Sequence, residues 1–175
     1  MLRAQMGNPD RWRIQHGSIL DRRVIAELSP ADVVYAWGVL HHTGAMWQAI
    51  ENTASLVNAG GALAIAIYNR HWSSPFWRWF KRQYNRSGRV GKTVMIWSLF
   101  GPRVVGRALK GKSPFNVPRG MSTYHDAVDW AGGLPYEYAS FDDVATFCGG
   151  LGFELIRAVR TSAAGCNQFL FQRNA

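Results

Sequence analysis

Two short apolar runs joined by one amphipathic stretch constrain the fold of this chain more than anything else in it. The first run, Val33-Val34-Tyr35-Ala36, follows Asp32 and ends in Trp37-Gly38, ahead of the pair His41-His42 and Thr43. Met46, Ile50, Ala54 and Val57 then recur at helical spacing. Asn58-Ala59-Gly60-Gly61 breaks the chain before a second run, Ala62 to Tyr68, in which Leu63, Ile65 and Ile67 alternate with Ala. Runs this short and this apolar read as buried strands of the kind found in parallel sheets. Thr43 is the expected N-cap of the intervening helix, and Gly60-Gly61 its expected C-terminal break.

The flanking sequence extends this unit. Trp12, Ile14 and His16 alternate with polar residues, which predicts a strand ended by Gly17-Ser18. Ser140-Phe141-Asp142-Asp143 is a capping-box-like helix start with Asp at the fourth position. Phe141, Val144, Phe147 and Cys148 form that helix's apolar face, and Phe153 to Val159 and Gln168 to Gln172 predict a closing hairpin. At 175 residues and 47% hydrophobic content, one domain with a real core is expected.

The net charge of +9 is segregated. Between Arg70 and Gly120 there are twelve Lys or Arg and no Asp or Glu, leaving eight basic and eleven acidic residues elsewhere. Within this segment Phe76, Trp77, Phe80 and Tyr84 recur at helical spacing among Arg78, Lys81, Arg82 and Arg86, a basic amphipathic helix. A second apolar piece, Val94 to Val105, is interrupted by Gly101-Pro102, and Pro114 and Pro118 mark a loop. Such a segment belongs near something anionic. The two cysteines, Cys148 and Cys166, have no metal-type spacing, Cys148 reads as a core residue, and a reducing cytoplasm is the expected location. No signal-peptide pattern is visible, and the longest apolar stretch, Thr93 to Phe100, is too short to span a bilayer.

The order strand, strand, helix, strand, insertion, helix, strand, strand resembles the C-terminal part of a class I S-adenosylmethionine-dependent methyltransferase. The resemblance is closest to the ubiquinone-biosynthesis-like and small-molecule methyltransferase group. It rests on Val39-Leu40-His41-His42-Thr43-Gly44, the Gly-Gly before a strand, Ala66-Ile67-Tyr68-Asn69 and Cys166-Asn167-Gln168-Phe169. It implies an α/β, Rossmann-like fold that is incomplete: the first two strands and the glycine-rich loop are missing, and residues 70–135 form a basic aromatic insertion within a single partial domain. Ala59 stands where the family usually has Pro. No Gly-x-Gly-x-Gly precedes Trp12, so the family's contact to ribose and methionine has no counterpart. The chain is therefore expected to be a gene fragment or an alternative-start product, prone to self-association through an exposed sheet edge.

By this resemblance Gly17, Ser18 and Ile19 would lie against the adenine of S-adenosylmethionine, although many relatives carry Asp at the Ser18 position. The plain alternative is an ordinary turn. Ala36, Trp37 and Gly38 sit where open α/β sheets bind ligands; Trp37 would cover the cofactor, or else is a core residue beside a turn. His42 is the candidate base for a hydroxyl acceptor, with His41 facing the substrate, against a capping or packing use of both. Tyr68 and Asn69 end the next strand on the same rim, as substrate contacts or as packing. His125, beside Asp126 and Asp129, is a second acid/base candidate or part of a solvated helix. Trp72 and Trp77 would close over an aromatic or isoprenoid-like acceptor if the insertion is a lid. Alternatively the insertion rests on an anionic membrane surface; nucleic acid has no motif behind it. No metal site is expected. The function implied is methyl transfer to a small apolar or aromatic acceptor, most simply at oxygen. The alternatives are a non-catalytic fragment that needs a partner, or a basic binding module.

Overall fold

The computed structural model describes residues 13–111 and 123–175. In chain order these are α1 (Arg22–Glu27), β1 (Ala31–Trp37), a 3-10 turn (Leu40–His42), α2 (Met46–Ser55), β2 (Val57–Tyr68), α3 (Ser74–Arg86), α4 (Arg89–Leu109), α5 (Thr123–Gly132), α6 (Phe141–Gly150), β3 (Phe153–Val159) and β4 (Cys166–Arg173). One four-stranded sheet runs in the order β1-β2-β4-β3. β1 and β2 are parallel, while β4 is antiparallel to both β2 and β3. This is an incomplete α/β sheet, as the order of apolar runs implies.

One face of the sheet makes the main core. Leu63, Ile65 and Ile67 of β2 and Phe169 and Phe171 of β4 pack against Ala49, Ile50 and Ala54 of α2 and Val144 and Cys148 of α6. Burial pushes the Cys148 thiol up to about 12, which suits an inert core position. The capping box at Ser140 is present in both directions, Asp143 N–H donating to Ser140 Oγ at 3.1 Å and Ser140 N–H to Asp143 Oδ2 at 3.3 Å. A second core lies in the insertion, where Phe80 and Tyr84 of α3 meet Ile96 and Phe100 of α4 and Ala131 of α5.

Five local expectations are corrected. Residues 13–16 form no strand and are exposed; without neighbouring strands, alternation alone does not make a ladder, and Trp12 lies outside the described residues. β1 is buried on one face only: Val33 and Tyr35, opposite Ala62 and Ala64, are each 66% exposed. Gly60 and Gly61 do not end α2, which stops at Ser55. They lie inside β2 at a register shift, Gly60 at φ +73° and Gly61 where a Cβ would sit 2.9 Å from the carbonyl oxygens of both Asn58 and Asp32. Thr43 caps only the 3-10 turn, its hydroxyl donating to Leu40 O at 2.8 Å. The α2 N-terminus is capped instead by Glu137, whose carboxylate accepts from Met46 N–H at 3.1 and 3.3 Å. Lastly, α4 runs through Pro102, because Ile96, Phe100 and Val104 keep one continuous inner face.

Candidate functional site

The carboxyl ends of β1 and β2 gather an aromatic cluster. Beyond Gly38, at φ +75°, the 3-10 turn places His41 and His42 next to the end of β2. The His41 ring lies 4.1 Å from that of Tyr68 and 4.5 Å from that of His42, and Tyr68 packs 4.9 Å from Tyr136. Lys81 enters from α3 fully buried, donates to the Trp130 carbonyl, and lies 4.2 Å from the Trp130 ring centre and 5.1 Å from that of Tyr136.

The two histidines differ in kind. His41 is 1% exposed, and its Nδ1 accepts from Tyr68 N–H at 3.4 Å. Burial, reinforced by the neighbouring His42, holds it down at about 3, against a hydrogen bond to the Ala66 carbonyl. His41 is thus a neutral pin between β1 and β2, behind the rim. His42 is half-buried, and its Nδ1 stands 2.7 Å from the Pro135 carbonyl oxygen. A carbonyl only accepts, so Nδ1 carries the proton and Nε2 keeps the lone pair. Burial holds His42 below its usual value, and Lys81 adds to this, while the Pro135 bond and Glu137 oppose it. The result is an imidazole that is neutral at neutral pH, fixed in one tautomer, with Nε2 as a base.

The ring is also fixed sterically. A Cβ on Gly133 would come within 2.8 Å of His42 Cε1 and 3.3 Å of Nε2. Burial lowers Lys81 to about 8 and raises the Tyr136 phenol. The buried Tyr136 hydroxyl lies near Ser74 but makes no hydrogen bond of proper geometry among the described residues.

The other sequence-derived candidates are spread around this rim. The Gly17–Ile19 turn is docked on α2, since Asn52 Nδ2 donates to Ile19 O at 2.7 Å, and Gly17 lies so close to Val24 that a Cβ would meet Val24 Cγ1 at 2.6 Å. Ser18 Oγ accepts from Leu20 N–H. Ala36 is buried in the core, and Trp37 turns to the other face, stacked 5.5 Å from Tyr35. There it lines a groove of about 360 Å³ with Ala64, Arg157, Val159 and Leu170. Asn69 ties β2 to the β3–β4 hairpin: its Nδ2 donates to the Thr161 and Ala163 carbonyls, and its Oδ1 accepts from Asn167. Trp77 packs into the insertion core, 4.8 Å from Trp130, whereas Trp72 stands 86% exposed beside His71. His125 is exposed on α5 against Tyr124. Among the described residues no three His, Cys, Asp or Glu side chains come together as a metal site.

Lys81, Gly133, Pro135, Tyr136 and Glu137 belong to the site although sequence reasoning did not single them out for it. For Lys81 the signal existed. It falls four residues after Trp77 and three before Tyr84, on the inner stripe of α3. The Pro135 carbonyl and the Gly133 backbone carry no such signal.

With this geometry in view, similarity to solved structures defines the class of fold. Nearly the whole chain, 99%, superposes on an O-methyltransferase family protein from Burkholderia thailandensis at TM-score 0.52 and 18% identity. The mitomycin 7-O-methyltransferase MmcR matches 98% of the chain at TM-score 0.50 and 13% identity. The chain spans 39% and 37% of the length of these two proteins. No family model and no curated protein matches the sequence. The chain is an incomplete α/β, Rossmann-like sheet similar to part of the fold of these two methyltransferase structures.

Proposed function

We propose that these residues supply the adenine and acceptor side of an S-adenosylmethionine-dependent methyl-transfer site, for a small apolar or aromatic acceptor that presents a hydroxyl group. The observation that carries this reading is the tautomer of His42. Its protonated Nδ1 is held by Pro135, and the lone pair is left on Nε2 of a half-buried ring that follows the carboxyl end of β1, the end of the strands at which sheets of this kind bind ligands.

The residues present fit the adenine side of the cofactor. Ser18 is exposed, Ile19 is half-buried and pinned by Asn52, and Gly38 stands in open space at positive φ, so a ligand can approach its backbone closely. When bound, S-adenosylmethionine supplies an electrophilic methyl group on a sulfonium sulfur. His42 Nε2 would take the proton of the acceptor hydroxyl as that oxygen becomes nucleophilic. Tyr68, Tyr136 and Trp130 form the apolar wall that encloses Lys81 beside His42. Burial keeps His42 unprotonated, with Lys81 adding to it, and His41 and Asn69 hold the rim in shape. His125, exposed on α5, has no role in this mechanism.

The described residues hold no glycine-rich loop for ribose and methionine. The bare outer face of β1 favours completion of the site by further polypeptide.

Imidazole NMR tests the acceptor side directly. A small phenol such as catechol is expected to shift the His42 Cε1–H resonance saturably and to leave that of His125 in place. A His42 resonance that ignores such phenols at millimolar concentration contradicts the proposal.

A further inference from the structure

The insertion carries an apolar surface that the methyl-transfer reading does not use. α4 is 21 residues long, about 30 Å. Its inner face, with Ile96 and Phe100, is packed in the second core. On its outer face Val90, Val94, Trp97, Val105 and Leu109 recur at helical spacing, and all are exposed, from 47% at Trp97 to 83% at Leu109. Every exposed residue between Val90 and Leu109 whose side chain is described is uncharged. Arg86 and Arg89 flank one end of this stripe and Lys110 the other, all exposed. α3 leaves Phe76 and Trp79 exposed as well, followed by Arg82 and Arg86.

A long apolar stripe left in water is costly and marks an interaction surface. Its composition selects the occupant. Valine, leucine and tryptophan with cationic ends, in a segment that carries twelve Lys or Arg and no acid, match a surface that is anionic outside and hydrocarbon beneath. A protein partner would be expected to meet at least some acid in so long a segment, whereas an anionic bilayer repels acid everywhere. Among the described residues no helix is long and apolar enough to cross a membrane, so contact would be from the side. We infer that the outer face of α4 lies in the surface of an anionic phospholipid membrane, with the flanking Arg and Lys at the headgroups. This inference is independent of the methyl-transfer reading.

The test is co-sedimentation of the 175-residue protein with vesicles of phosphatidylcholine alone or mixed with phosphatidylglycerol. Binding is expected with the anionic vesicles only, and Val94→Glu/Trp97→Glu is expected to weaken it about tenfold or more. Val159→Glu, an equally exposed position on β3, should leave binding unchanged. If the double glutamate variant loses its helical circular dichroism, Val94→Ser/Trp97→Ser serves in its place. Four results overturn the inference: no sedimentation with either vesicle, equal sedimentation of wild type and stripe variant, oligonucleotide binding without vesicle binding, and a dimer broken by the stripe variant that ignores vesicles.

Discussion

His42 Nδ1 donates to the carbonyl oxygen of Pro135 across 2.7 Å, joining residues 93 positions apart. This one bond decides which imidazole nitrogen is basic, and the loop that provides it, Gly133 to Glu137, also caps α2 through Glu137. The rim is thus assembled from both sides of the insertion.

Gly133 makes that arrangement possible, since any Cβ there would press on the His42 ring. Gly133→Ala is expected to break the His42–Pro135 bond and to destabilise the fold by roughly 1–3 kcal/mol, the usual cost of overpacking. Loss of the downfield Nδ1–H signal of His42 in the proton spectrum, with a lowered urea midpoint, is the expected result.

Burial of His41 links the fold to acid. Its folded value of about 3 lies below the unfolded 6.5, so between these values the unfolded chain binds the extra proton. Its contribution to stability is complete above about pH 6.5 and is lost as the pH falls toward 3, with a slope approaching ~1.4 kcal/mol per pH unit. Urea melts from pH 7 to pH 4 should show this loss, and His41→Asn should flatten it.

Lys81 acts in the alkaline range. Its folded value of about 8 lies below 10.5, so the unfolded chain again binds more protons between the two. Relative to Lys81→Met, the wild-type protein should gain stability as the pH rises from about 8 to 10. The difference between the two melting curves isolates Lys81 from the tyrosines that titrate above it.

β1 is an edge strand of the described sheet, and its outer face exposes Val33, Tyr35 and Trp37. An apolar edge of this kind pairs with other chains. Sedimentation velocity is expected to show concentration-dependent association that Val33→Lys/Tyr35→Lys reduces without changing the circular dichroism spectrum.

Much of this architecture was legible in the sequence. The β1–α2–β2 unit, the Ser140 capping box, the closing hairpin and the basic amphipathic α3 all follow from local periodicity and local caps, whose partners are close in the chain. What was illegible depends on distant partners. Thr43 carries the right chemistry for an N-cap, but Glu137, 91 residues on, takes the place. Gly60-Gly61 has the composition of a helix stop, yet the close approach of the Asp32 carbonyl is what demands it. Lys81 falls on the inner stripe of α3, but that Trp130 and Tyr136 are the rings that close over it is decided some fifty residues further on. His41 and His42 are neighbours of identical type, and only the fold shows that the first is a buried pin and the second a tautomer-fixed base.

The most direct measurement is calorimetric titration of the 175-residue protein with S-adenosylhomocysteine, adenosine and methionine in turn. If these residues form the adenine and acceptor side of a methyl-transfer site, S-adenosylhomocysteine and adenosine bind weakly with similar affinity, and methionine gives no heat. Absence of heat from S-adenosylhomocysteine and adenosine at millimolar concentration would contradict the account.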